Sequence, residues 1–217
     1  MARIPANPKI YHLTHLRNLP QIVRAGVLWS DAKRIELDLS CNLVGMSHIK
    51  QRRLHDIEVA PCCTGTRVGD YVPFYFCPRS IMLYILHKGN HLDLDYQEGQ
   101  HPIVHLQADL HSTVKWAEQQ RRKWAFSDRN AGTYYANFYA DLGMLDEVNW
   151  DAVNANQWSE PSIKEDKQAE FLMYELFPWH LIEKIGVYDN QIAKKVRRII
   201  AGTEHGPNVT IARGWYY

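Results

Sequence analysis

The stretch Asp70-Tyr71-Val72-Pro73-Phe74-Tyr75-Phe76 constrains this 217-residue chain more than any other. After Asp70 every residue is apolar or aromatic, which reads as a strand buried on both faces. Pro73 sits at its middle. Proline has no N–H to give a neighbouring strand, so the pattern demands a sheet edge or a bulge there.

The rest of the chain alternates short strands and helices. Residues 10–15 read as a strand. A helix follows, with Asn18 as N-cap, Pro20 in its first turn, Leu19, Ile22 and Val23 on one face, and Gly26 at its end. Residues 30–46 read as irregular, 47–54 as a short basic helix, and Gly65 and Gly69 frame a loop. Ser80 caps a helix carrying Ile81, Tyr84 and Ile85. A strand at 103–106 precedes a helix over 109–123 that ends in Arg121-Arg122-Lys123. Residues 131–142 read as an aromatic helix and 143–166 as turns and loops, while 168–174 is ambiguous between helix and strand. A strand at 185–188, a helix at 191–200 with Lys194, Lys195, Arg197 and Arg198 on one face, and a strand at 209–212 complete the pattern. No βαβ rhythm runs through it, so the expected class is α+β. No repeat and no Pro/Gly/Ser linker divides the chain, and one domain over 1–217 is expected.

Composition narrows the function classes. Hydrophobic residues at 46% and charged residues at 23% match a folded globular protein. No apolar run approaches the ~18 residues of a membrane span. The N-terminal segment Met1–Pro5 lacks the apolar core of a secretory signal. Cys41, Cys62, Cys63 and Cys77 form no C-x-x-C pair, so a reduced, cytoplasmic setting is expected. Net charge is only +1, but it is uneven. Residues 1–88 hold 12 Lys/Arg against 6 Asp/Glu, a net of +6, and the remainder holds 13 against 18, a net of −5. A basic, aromatic-rich portion suits phosphates and stacked bases, although aromatics also simply fill cores.

The usual nucleotide signatures are absent: there is no P-loop, no G-x-G-x-x-G after a strand and no G-x-S-x-G elbow. His12 and His15 lack a third metal ligand, and a strand would turn them to opposite faces, so no metal is expected. Cys62 and Cys63 have no neighbouring base and read as structural thiols. Arg52-Arg53 is either a solvated helix face or the partner of a phosphate. Glu170 precedes the apolar run Phe171-Leu172-Met173. At this level it reads equally as a salt-bridge partner or as a catalytic acid held by packing.

Several segments together resemble one family. Tyr11-His12-Leu13-Thr14-His15 with Asn18-Leu19, Ile49-Lys50-Gln51-Arg52-Arg53, Asp70 to Ser80 with Met82-Leu83-Tyr84, Gln168-Ala169-Glu170 and the terminal Trp215-Tyr216-Tyr217 are similar, in order, to the DarT family. These are the DNA ADP-ribosyltransferase toxins of DarT–DarG toxin–antitoxin systems. The resemblance implies an ADP-ribosyltransferase, PARP-like fold, with a split mixed sheet and surrounding helices. It implies NAD+ as co-substrate, single-stranded DNA as acceptor, nicotinamide as the released product, and a DarG-type macrodomain antitoxin as partner. The Tyr11–His15 opening, the Ile49–Arg53 motif and the Asp70–Phe76 stretch look more like the thymidine-modifying branch than the guanosine one. Other acceptors (guanosine, RNA or protein) and a non-catalytic single-strand-binding module are the competing readings.

The resemblance also assigns residues. Glu170 matches the catalytic glutamate and Arg52 the catalytic arginine, with Arg53 the candidate one register away. His12, Leu13, Thr14, Gln21, Trp29 and Arg52 are the expected cofactor contacts, and the segment from Asp31 to Arg53 the element that folds over NAD+. Arg53, Tyr71, Arg79, Met82, Arg121, Arg122 and Lys123 are the expected nucleic-acid contacts.

Overall fold

The computed structural model describes residues 3–217. At its centre lies an eight-stranded sheet. In spatial order its strands are β10 (Asn208–Ile211), β9 (Ile182–Val187), β4 (Ile103–Asp109), β1 (Lys9–His15), β3 (Tyr71–Tyr75), β7 (Ala169–Tyr174), β5 (Trp124–Asn130) and β6 (Phe138–Tyr139). Only β10 and β9 run parallel; every other pair is antiparallel. A second, two-stranded sheet joins β2 (Val27–Trp29) to β8 (Leu176–Pro178).

Pro73 explains how the large sheet is divided. β1 pairs with β4 over seven residues but meets β3 at a single pair, Tyr11 with Tyr75. Pro73 lies opposite Leu172 of β7, and its carbonyl points across to β1, where it accepts a hydrogen bond from His12. A strand residue turns its N and its carbonyl to the same neighbour. The N–H that proline lacks therefore falls on the β1 side, where the ladder has opened. β3 is internal in strand order, yet one of its flanks behaves as the edge that the proline demanded.

Helices cover both faces. The largest buried cluster packs Phe171 and Met173 of β7 under α1 (Leu19–Ala25), α5 (Leu110–Gln119) and α8 (Asn190–Ile200). On the opposite face Leu172 joins Ile57, Val59, Cys63, Val68 and Tyr71, next to α3 (Ser47–His55). A third cluster joins α4 (Ile81–Lys88) to Ile103 and Tyr216. Because side chains alternate along a strand, Glu170 shares the face of Leu172 and looks toward α3.

Several sequence expectations change. Residues 131–142 are not a helix. Asn130 closes a turn there, its side chain accepting from Gly132 N–H and its carbonyl from the Thr133 hydroxyl, and β6 follows. The ambiguous 168–174 stretch is strand β7. Within 30–46, Ser30 caps α2 (Asp31–Glu36) by accepting from Lys33 N–H at 3.1 Å. The 143–166 stretch holds α6 (Trp150–Asn154) and α7 (Pro161–Asp166) as well as loops. Asn18 makes no helix cap and instead fastens a distant loop.

Candidate active site

The opening between β1 and β3 continues into a cavity lined by His12 and Thr14 from β1, Tyr75 from β3, Glu170 from β7 and Lys50 and Arg53 from α3. Glu170 is 2% exposed. Its Oε1 and Oε2 accept from the two terminal nitrogens of Arg53 at 2.9 and 2.8 Å. Oε1 also accepts from the Ala131 N–H at 3.3 Å, and Oε2 keeps capacity to accept from a ligand. Enclosure works against the Arg53 charge, but Glu170 more than offsets it and holds the guanidinium above its ordinary pKa. Burial first, and then the Glu170 charge, push the Tyr75 hydroxyl well above the usual phenol range. It is therefore a neutral donor beside the carboxylate.

His12 donates from Nδ1 to the Pro73 carbonyl at 2.8 Å. Its enclosure holds it below the ordinary imidazole value, against the pull of that carbonyl. A neutral ring that donates through Nδ1 presents Nε2 as an acceptor. Asn18 pins the loop over the cavity by accepting from Asn42 N–H at 2.7 Å and donating to the Asn42 carbonyl at 3.0 Å and to Thr14 Oγ1 at 3.2 Å. Lys50 grips both oxygens of Asp31 at 3.0 and 2.9 Å, which ties α3 to α2. Enclosure raises the Asp31 carboxyl, but Lys50 outweighs it and keeps it below the usual range.

The expected cofactor contacts His12, Leu13, Thr14, Gln21 and Trp29 all line this cavity, as does much of the Asp31–Arg53 segment. Arg52 does not. Successive helical residues point about 100° apart, and the structure places Arg53 on Glu170 while Arg52 turns toward Tyr134, 6.0 Å from its ring centre. Met82, expected on DNA, lines the cavity from α4.

The other expected DNA contacts scatter. Tyr71 is 1% exposed and shares its hydroxyl with Thr66, so no face is open to a base. Arg79 lies on the Tyr217 ring at 4.4 Å. Arg122 pairs with Glu175 at 3.2 Å, Lys123 sits over Tyr174, and neither these two nor Arg121 lines the cavity. They follow α5, beside the end of β7 away from Glu170. Asn18, Asp31 and Asn130 line the cavity without having been singled out as contacts. Asn18 lies in a matched motif and Asp31 begins the segment expected over NAD+, whereas Asn130 carried no signal in the sequence.

Solved structures share this fold. Thermus sp. 2.9 DarT in complex with ADP-ribosylated single-stranded DNA superposes with a TM-score of 0.89, at 36% identity and covering 100% of both chains. The same protein in complex with NAD+ gives 0.83 at 35% identity, covering 99% of this chain and 100% of that one. A DNA ADP-ribosyl transferase of Thermus aquaticus is 40% identical over 215 residues, 98% of this chain and 90% of that protein. A Thermosipho africanus relative, 24% identical over 199 residues, is a DNA ADP-ribosyl transferase–DNA ADP-ribosyl glycohydrolase fusion protein, of which 46% is covered. The split sheet, with its buried Glu–Arg pair opening on the cavity, defines an ADP-ribosyltransferase. The family model for DarT, the single-stranded-DNA thymidine ADP-ribosyltransferase, matches residues 11–217. The chain belongs to the DarT family.

Proposed function

We propose that this chain transfers ADP-ribose from NAD+ to thymidine in single-stranded DNA, as the toxin of a cytoplasmic toxin–antitoxin pair, through one catalytic domain spanning 1–217. The observation that carries the reading is the Glu170 carboxylate, held at both oxygens by Arg53, in the same cavity as His12 and Thr14. The fused glycohydrolase of the Thermosipho relative supports an antitoxin partner that reverses the modification. Among the described residues, no helix is long and apolar enough to cross a membrane.

The chemistry exchanges one N-glycosidic bond for another at the anomeric carbon. The bond to nicotinamide breaks, and nicotinamide leaves neutral with the electron pair. A new bond forms to the thymine imide nitrogen, the one ring nitrogen of a thymidine that carries hydrogen, and its proton departs. Positive charge develops on the ribose as the first bond lengthens. Glu170 lies where a fixed carboxylate stabilises that charge. Arg53 holds the carboxylate in one orientation, and its remaining N–H groups suit a pyrophosphate or a base carbonyl. An arginine does not act as a base at neutral pH, so proton removal falls to Glu170. His12, Thr14 and the loop pinned by Asn18 orient the nicotinamide half.

The test is incubation with NAD+ and single-stranded oligonucleotides differing in one base, read by mass. An added ADP-ribose on thymine-containing strands, lost in E170Q by at least ~100-fold, is the expected result. Transfer to guanine, RNA or protein alone, or full transfer by E170Q, overturns it.

A further inference from the structure

We propose that Arg52 and the Tyr134–Tyr135 step form the subsite that seats the nucleotide flanking the acceptor base. The inference rests on the transferase reading above. Of the chain's 7 Trp, 12 Tyr and 6 Phe, only Tyr134 and Tyr135 are exposed, at 66% and 83%. They are adjacent in sequence. A core has no use for them there, and exposed aromatic rings are what an unpaired strand stacks on.

Their position is set by the active centre. The turn that carries them begins at Ala131, whose N–H reaches Glu170 Oε1. Asn130 closes the turn through Gly132 and Thr133. Gly132 then lies so close to α3 that an added methyl there would stand 3.5 Å from Ile49 Cγ2 and 3.8 Å from an Arg52 nitrogen. The tyrosines therefore follow directly on a built turn whose first N–H contacts the reacting carboxylate.

Arg52 supplies the charge. Its neighbour Arg53 is consumed by Glu170, but Arg52 has no ion-pair partner among the described residues, and its Nε is shielded without a hydrogen bond. The nearby Asp56 carboxylate receives the Tyr134 hydroxyl at 3.5 Å. A cation without an ion-pair partner beside the exposed Tyr134 ring matches one backbone phosphate and its attached base.

The experiment measures binding of a fluorescein-labelled single-stranded dodecathymidylate by anisotropy, and of NAD+ by calorimetry, for the full chain. Y134A/Y135A is expected to weaken oligonucleotide binding at least ~5-fold, the lower end of what a base–aromatic stack contributes, with NAD+ affinity unchanged. Y134F/Y135F, which keeps both rings, is expected to bind as the wild type does. R52A is expected to reduce the slope of log affinity against log salt by about 0.7, the share of one single-strand phosphate. Wild-type oligonucleotide affinity in Y134A/Y135A, or an equal loss of NAD+ affinity, overturns the subsite while leaving transfer by the wild type intact. A wild-type protein that neither binds nor modifies DNA overturns the transferase reading itself.

Discussion

Arg52 and Arg53 are chemically identical neighbours with different fates, and no property of either residue separates them in the sequence. The separation comes from the orientation of α3 on the sheet. Arg53 meets a carboxylate that is 2% exposed, and Arg52 meets a turn at the surface. Removing one partner of a buried pair strands the other. R53A should therefore lose about 3 kcal/mol of stability in urea unfolding, whereas R52A should lose less than ~0.5 kcal/mol, as a surface substitution does. Replacing both Arg53 and Glu170 by apolar residues should recover much of the R53A loss, since no unpaired charge then remains. Equal losses for R52A and R53A would contradict the pairing. Glu170 shows the same limit of the sequence. Its place before Phe171-Leu172-Met173 marks a packed strand, but only Arg53 across the fold shows which carboxylate role it takes.

Elements were legible where local chemistry decides them. Ser80 caps α4 by accepting from Leu83 N–H at 3.2 Å, and Gly26 ends α1 in a left-handed conformation, both as local patterns predict. The elements missed or misread from sequence are those that neighbours decide. β5 is buried through most of its length, so it lacks alternation, and the aromatic 131–142 stretch turns because Asn130 binds its backbone. The terminal Trp215-Tyr216-Tyr217 is a third such case, visible as a motif but not as a device. Trp215 lies on Gly186 of β9, where an added Cβ would stand 2.2 Å from the indole. The Tyr216 hydroxyl donates to the Ile103 carbonyl at 2.8 Å, and Tyr217 is held by Gln100 and by the Arg79 carbonyl. G186A should therefore cost about 1–3 kcal/mol or more by overpacking and expose Trp215, seen as a red-shifted fluorescence. In a W215A background the same substitution should cost almost nothing, because the clash has gone.

The whole molecule stores a pH dependence in its histidines. Burial holds His105 at about 4, against the Pro78 carbonyl that accepts from it. His12 is lowered by enclosure, and His15 by burial against the opposing charge of Glu98. The unfolded chain takes up these protons near pH ~6.5, and the folded chain resists them. Below that value the unfolded state binds more protons, so stability falls as pH falls from ~6.5 toward 4. His105 alone accounts for a loss on the order of 3 kcal/mol by pH 4. Urea midpoints at pH 7 and pH 4.5 should show the decline, and H105Q should flatten it; a midpoint that rises on acidification would contradict it. The charge asymmetry also takes its meaning at this scale. The +6 portion contributes Arg53 and Lys50 to the cavity and the −5 portion contributes Glu170, so folding brings opposite charges to one centre. The sequence by itself determined the interrupted strand at Pro73, the α+β class, the Ser80 cap of α4 and the Gly26 end of α1, because backbone sterics and capping act over a few residues. Only the tertiary structure decided that Arg53 rather than Arg52 holds Glu170, that Tyr71 is core, and that Tyr134 and Tyr135 stand in the open. Those outcomes depend on contacts between residues as many as 117 positions apart, and no local pattern encodes such a distance.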